Sequence, residues 1–265
     1  MELSVNLLTL ILKPIVFVWQ KIKGYKFPVS LKYWGNTVFI ALLMFIIPYA
    51  LVYWGEQYIS SGLSAVLFSS QSLFVVVFAH IILKTEKAGF KKVFGLLVGL
   101  FGLVILYKSQ IAWDEVQGLK GLIALLVAAA SAALGLVVLS KQKHKFNPVP
   151  EVMTHIGITA IAFIIMSLLF EEPPENIFTM KLWISSIYLA LFGTAFGFVV
   201  YYWLAKNATA FVTSFSVFIS PVFAVFLGWL ILNETINFLG MTGAFLVLAS
   251  IVLTQVSGKK DDSTN

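Results

Sequence analysis

The sequence predicts an all-α integral membrane protein, an inverted-repeat helix bundle of about nine transmembrane helices. Three observations predict it: the composition, a series of long apolar runs, and a weak internal repeat. Hydrophobic residues make up 60% of the 265 and charged residues 11%, where soluble domains run at about 45–50% and about 25%. Mean hydropathy is +0.95. So little charge cannot cover a water-soluble particle of 29.4 kDa, so most of the exterior must face lipid. A cytosolic enzyme is excluded.

A spanning helix needs about 20 mostly apolar residues. The candidate spans are residues 3–20, 37–54, 62–83, 93–107, 119–140, 152–170, 183–205, 211–232 and 238–255, joined by short polar connections. The first contains Lys13 and Pro14. It either crosses, with the Lys13 ammonium snorkelling to the headgroups, or lies in the interface. Its start reads poorly as a signal peptide, because Glu2 precedes the apolar stretch and no small-x-small cleavage site follows. The longest interruptions, residues 21–36 and 171–182, are too short to bury a core of their own.

All 18 basic residues are lysines. Lys21, Lys23, Lys26 and Lys32, then Lys84, Lys87, Lys91 and Lys92, then Lys141, Lys143 and Lys145, then Lys206, and finally Lys259 and Lys260 occupy alternate connections and the tail. The other connections hold Lys108, Lys120 and Lys181. This asymmetry places the first set, and the C-terminus, in the cytoplasm of a cell-membrane protein. Lysine clusters without arginine do not form a nucleic-acid face, so no nucleic-acid partner is expected. With no cysteine there is no thiolate nucleophile and no disulfide.

Shifting the sequence by 148 residues superposes Tyr53 on Tyr201, Ser72 on Ser220, Val77 and Phe78 on Val225 and Phe226, Glu86 on Glu234, and Gly95 on Gly243. The two copies differ in one connection: Lys84, Lys87, Lys91 and Lys92 in the first answer to the lysine-free stretch 233–237 in the second. Equivalent connections then lie on opposite sides of the membrane, the pattern of inverted repeats in secondary transporters. The expected organisation is a first repeat over 1–109 lacking its first helix, a second repeat over 118–256, and a cytoplasmic tail over 257–265.

These residues resemble the EamA family of the drug/metabolite transporter superfamily. The resemblance rests on Val52-Tyr53-Trp54 before Ser60-Ser61-Gly62-Leu63-Ser64-Ala65, on Ser220-Pro221 followed by Leu230-Ile231-Leu232-Asn233-Glu234-Thr235, and on Gly95 and Gly99. It implies a ten-helix, five-plus-five inverted-repeat carrier of small metabolites, commonly an exporter. Against that pattern the chain starts near the family's second helix, has Leu73 where the second copy has Pro221, and carries Lys84-Thr85-Glu86 where such proteins often have Gly-Glu. Two readings follow: a carrier that moves a small organic metabolite by alternating access, or a truncated, non-transporting membrane scaffold that needs a partner subunit.

Enzyme motifs are missing from the sequence: there is no HExxH, GxSxG or Walker loop. No cofactor and no metal site is expected. Ionisable groups within spans are functional candidates, and His80, one turn before Lys84, is the coupling candidate, with a headgroup-level histidine as its plain alternative. His155, at the start of its span, reads as interfacial, and Glu56 as part of an aromatic belt. Ser60, Ser64, Gln71 and Ser72, broadened by Ser69 and Ser70, make a polar stripe. Thr209, Thr213, Ser216 and Ser220 make another. Lipid offers these groups no partner, so each stripe is expected to meet a neighbouring helix or a water-filled path. Pro221 and Pro48 break helix hydrogen bonding. The aromatic group Trp54, Tyr201, Tyr202 and Trp203 either stacks on a planar substrate or marks interface depth. The substrate-contact candidates are Gln71, Ser64, Ser72, Tyr53, Trp54, Tyr201, Thr213, Ser220 and Pro221. Small-residue pairs Gly95/Gly99 and Gly193/Gly197 serve helix packing or a homodimer surface. The expected partners are a small-molecule substrate and the lipid bilayer.

Lysine placement makes the topology testable in a chain that has no native cysteine. In intact cells a membrane-impermeant thiol reagent should label Thr235→Cys and leave Thr85→Cys unlabelled. The reverse pattern would refute the orientation and the inverted repeat together.

Overall fold

The computed structural model describes residues 30–59, 61–84, 89–106, 118–142, 146–170, 180–219, 222 and 238–261. Every described element is helical. Helix α1 covers Leu31–Gly55, α2 Ser61–Ser69, α3 Gln71–Ile82, α4 Phe90–Leu106, α5 Gly118–Lys141, α6 Pro148–Phe170, α7 residues 180–207, α8 Ala210–Ser214 and α9 Phe238–Asp261. Among the described residues, five stretches are long and apolar enough to cross a membrane, and Val93–Ile105, Ala210–Ile219 and Phe238–Ser250 are shorter apolar helices. These stretches match eight of the nine predicted spans. The span at 3–20 lies outside the described residues, and that at 211–232 is described only at 211–219 and 222.

Two compact units divide the chain, residues 1–46 with 142–207 and residues 47–141 with 208–265. In the first, the N-terminal part of α1 packs on α6, and α6 on α7. Both α1 and α7 contain a π-helical segment, Leu42–Ile46 and Leu189–Phe196. The α1 segment precedes Pro48, whose missing amide leaves the carbonyl of Met44, four residues back, without its ordinary donor. The expected break at Pro48 is thus a widened turn. Across this unit Asn36 and Gln142 exchange amide hydrogen bonds at 3.0 and 2.9 Å.

The second unit is built on α5, whose small-residue face (Ala128, Ala129, Ala132, Ala133 and Gly135) is buried. Gly55 and Gly121 bring the end of α1 against α5 so closely that a Cβ on Gly121 would meet the Gly55 carbonyl oxygen at 2.9 Å. Against α9, a Cβ on Gly99 would lie 2.6 Å from Ser250 Oγ, and one on Gly102 would lie 2.9 Å from the Gly243 carbonyl oxygen. The apolar core of the unit is Val66, Val76, Leu96, Leu103, Phe211, Phe215, Phe218 and Val247. Large apolar side chains such as Ile81 and Phe101 face outward, as lipid-facing residues must.

Helix starts repeat along the chain. Those of α1 and α7, α2 and α8, and α4 and α9 are separated by 148 or 149 residues, close to the spacing read from the sequence, and the π segments of α1 and α7 overlap at the same offset. Within each unit the equivalent helices touch: Phe45 of α1 lies edge-on to Phe198 of α7 at 4.8 Å, and α4 packs along α9. The second glycine pair plays no such part, since Gly193 and Gly197 are both exposed.

The close α4–α9 approach predicts the effect of added methyl groups. Gly102→Ala should destabilise the protein by about 1–3 kcal/mol, because its Cβ would be forced onto backbone atoms of α9. Gly157→Ala, with nothing within 4 Å of the new methyl, should be neutral or gain up to about 1 kcal/mol from helix propensity. Thermal unfolding in one detergent compares the two. Equal melting temperatures would refute the close packing.

Candidate functional site

In the second unit the predicted span 62–83 is two helices, α2 and α3, joined through Ser70. There the amide of Ser70 donates to Leu67 and that of Leu73 to Ser70, three residues back instead of four. A second break follows α8, where Phe215 donates to Val212 and Phe218 to Phe215. Phe218 is the usual donor for the carbonyl of Ser214, so that carbonyl is free for another partner. Ser72 Oγ, in the first turn of α3, donates to it at 3.0 Å in fully buried surroundings. One hydroxyl therefore joins two helices next to the point where each is interrupted.

Several hydroxyls of the two stripes, and that of neighbouring Ser214, behave differently from expectation. Ser69 and Ser70 donate to Ala65 and Leu67, Thr213 to Thr209, Ser214 to Phe211 and Ser216 to Thr213. Each is satisfied by a carbonyl of its own helix, a third solution besides a neighbour or water. Ser64, Gln71, Ser72 and Thr213 are all buried. Gln71 is the first residue of α3, immediately after the break. Tyr53 is half-buried and stacks on Tyr49 at 6.2 Å, whereas Trp54 is 42% exposed and edge-on to Tyr58. The ring of His80 is exposed at the end of α3. Ser60, Ser220 and Pro221 lie outside the described residues.

The first unit holds a polar network. Tyr33 of α1 donates its hydroxyl to Glu151 Oε2 at 3.1 Å. Glu151 Oε1 lies 3.9 Å from His155 Nε2, and His155 Nδ1 is 3.1 Å from the hydroxyl of Tyr202. That hydroxyl also points at Met44 Sδ, 3.8 Å away. Glu151, His155 and Tyr202 are buried, the last two completely. Rings of Phe45 and Phe146 close over Tyr202. Of the aromatic group proposed on α7, Tyr202 turns inward, Trp203 outward, and Tyr201 is half-buried against Phe198.

Sequence reasoning missed this network for a local reason. The apolar run starts at residue 152 after the lysine-rich connection, so His155 is expected at the mouth of its helix. In the structure α6 begins at Pro148, because proline's missing amide is harmless in a first turn. His155 thus stands two turns inside the helix, four residues from Glu151 on the same face. That i, i+4 spacing was the available signal.

An all-helical, multi-pass bundle with helices interrupted at buried hydroxyls is an architecture that membrane transporters use. Comparison with known proteins agrees. The profile of the EamA-like transporter family matches residues 3–108 and again 119–256. The chain belongs to this family. Among its relatives are an uncharacterized transporter, YoaV, of Bacillus subtilis (28% identical, covering 90% of this chain and 80% of the relative), protein PagO of Salmonella typhimurium (26%, 94% and 84%), and a chloroplastic WAT1-related protein of Arabidopsis thaliana (29%, 87% and 57%). A protein of known crystal structure shares the fold, with a TM-score of 0.81 over 96% of this chain and 89% of that one at 15% identity. The family and its relatives point to a transporter and not to an enzyme.

The Ser72 bond gives a direct expectation. Ser72→Ala removes the donor and leaves a buried carbonyl unpaired, a loss of about 1–3 kcal/mol, whereas Ser72→Thr keeps the hydroxyl. Thermal unfolding in detergent should rank Ala well below Thr. An alanine variant as stable as the parent would show that the broken helices do not need this bond.

Proposed function

We propose that this transporter is a cell-membrane carrier that moves a small organic metabolite outward by alternating access. In this reading its two repeats lie in opposite orientations in the lipid bilayer and its C-terminus is cytoplasmic. The observation that carries the reading is the meeting of two interrupted helices at Ser72 and the carbonyl of Ser214, since interrupted helices are where carriers place their substrate sites. Supporting it are the lysine asymmetry and the family membership. The sequence has no Walker loop, so the driving force is an ion or solute gradient.

Gln71 is the foremost substrate contact in this reading. It is buried beside the break, carries two donors and an acceptor, and its repeat equivalent, Ile219, is apolar and 39% exposed. Repeat symmetry therefore does not account for it. Ser64, Ser72 and Thr213 supply further hydroxyls, and Tyr53, Trp54 and Tyr201 supply aromatic faces. Ser220 and Pro221 extend the second stripe in sequence.

Cells expressing the chain should release one or a few organic solutes that control cells retain, measured by mass spectrometry of the medium. Gln71→Leu should abolish the release while keeping expression and thermal stability, because leucine fills a similar volume without leaving a polar group unpaired. No difference between media, with the protein present in the membrane, would refute the carrier and favour the scaffold reading. Loss of stability with an unchanged concentration dependence of release would return Gln71 to a purely structural role.

A further inference from the structure

The network in the first unit has a property that the carrier reading does not use. Glu151 is buried beside His155, which is itself wholly buried. Among the described residues, the titratable groups meeting the pair from the packed helices are Tyr33 of α1 and Tyr202 of α7, the latter followed outward by Tyr201. Lys32 of α1 is exposed. A carboxylate in such a place is strongly disfavoured unless its charge is cancelled nearby. Tyr33 contributes a hydrogen bond to the carboxyl and no positive charge.

Proton placement follows from the hydrogen-bond geometry. Tyr202 has one hydroxyl proton and two acceptors in reach, Met44 Sδ and His155 Nδ1. If it donates to the sulfur, His155 carries its proton on Nδ1, and Nε2 presents a lone pair toward Glu151. If it donates to Nδ1, His155 Nε2 carries the proton and faces the carboxyl. His155 Nε2 has no hydrogen-bond partner among the described residues and stands 3.9 Å from Glu151 Oε1, so a small carboxyl rotation closes the gap. An ionised Glu151 with a neutral His155 leaves the site at net charge −1. One added proton, on either group, brings it to zero.

We propose that Glu151 and His155 together form a proton-binding site that holds one exchangeable proton, and that this proton is the coupling ion of the carrier. The proton enters from water onto Glu151 or His155 and leaves to water when the unit is hydrated, with no other bond made or broken. Only the coupling role rests on the carrier reading. The binding of the proton is measured without any transport.

Purified full-length protein in detergent, carrying His80→Asn and His144→Asn and labelled with nitrogen-15 histidine, reports the state of the one remaining imidazole. Infrared spectroscopy of the same sample reports protonated carboxyl groups. Between about pH 5 and about pH 9 the pair should gain or lose one proton in a single macroscopic step, visible in both probes. Glu151→Gln keeps the shape and the acceptor for Tyr33. It should remove the carboxyl band assigned to the site and leave His155 neutral throughout. Tyr202→Phe should change the nitrogen tautomer signal and retain the proton. A folded parent in which the carboxyl stays ionised and the imidazole neutral over the whole range would overturn the site, as would a His155 that still takes up a proton in Glu151→Gln. If the proton binds and collapse of the proton gradient leaves release of the exported solute unaltered, the coupling role fails and the binding site stands. If no solute is exported at all, the carrier reading fails first.

Discussion

Inside a bilayer no water is available to a backbone amide or carbonyl, and that constraint organises this chain. It makes every described element a helix, and it governs what happens where a helix is interrupted. At Pro48 a missing donor is absorbed by a widened π turn in α1. After α8 a carbonyl released by the turn at Phe215 is taken by the hydroxyl of Ser72. Ser69, Ser70, Thr213, Ser214 and Ser216, near these points, return to carbonyls three or four residues back. Hydroxyls therefore act as internal solvent for the backbone, and that of Ser72, which reaches a carbonyl of another helix, marks the place where two breaks coincide.

Close approach is the second consequence. Without a hydrophobic force between helices in lipid, association depends on contact distance and on buried polar bonds. Both occur where helices of the two repeats meet. Glycines let α4 run against α9 almost backbone to backbone. In the first unit the equivalent helices α1 and α7 meet through Phe45, Phe198 and Tyr202, with α6 adding Glu151 and His155. One unit thus joins its equivalent helices by shape, the other by aromatic rings enclosing ionisable groups. A paired acid and imidazole in that enclosure is where a change in protonation would be felt most, because the low dielectric magnifies it.

Determined by the sequence alone were the membrane class, the places of eight apolar stretches among the described residues, and the repeat spacing near 148. The reason is that lipid burial is a property of composition and length: a run such as 119–140 can be nothing but a spanning helix, whatever surrounds it. Family resemblance was equally legible, since it rests on residues such as Gly95 and Tyr53 read in order. The direction in which each side chain points was decided only by the tertiary structure. Tyr202 and Trp203 are neighbours in an aromatic run, yet one is wholly buried and the other faces outward. His80 and His155 read alike as single histidines near span ends, yet the ring of one is exposed and the other closes a network with Glu151. Helices apolar on every side carry no periodic signal to say which face turns inward, so the polar partners of a buried group become visible only when the helices are packed together.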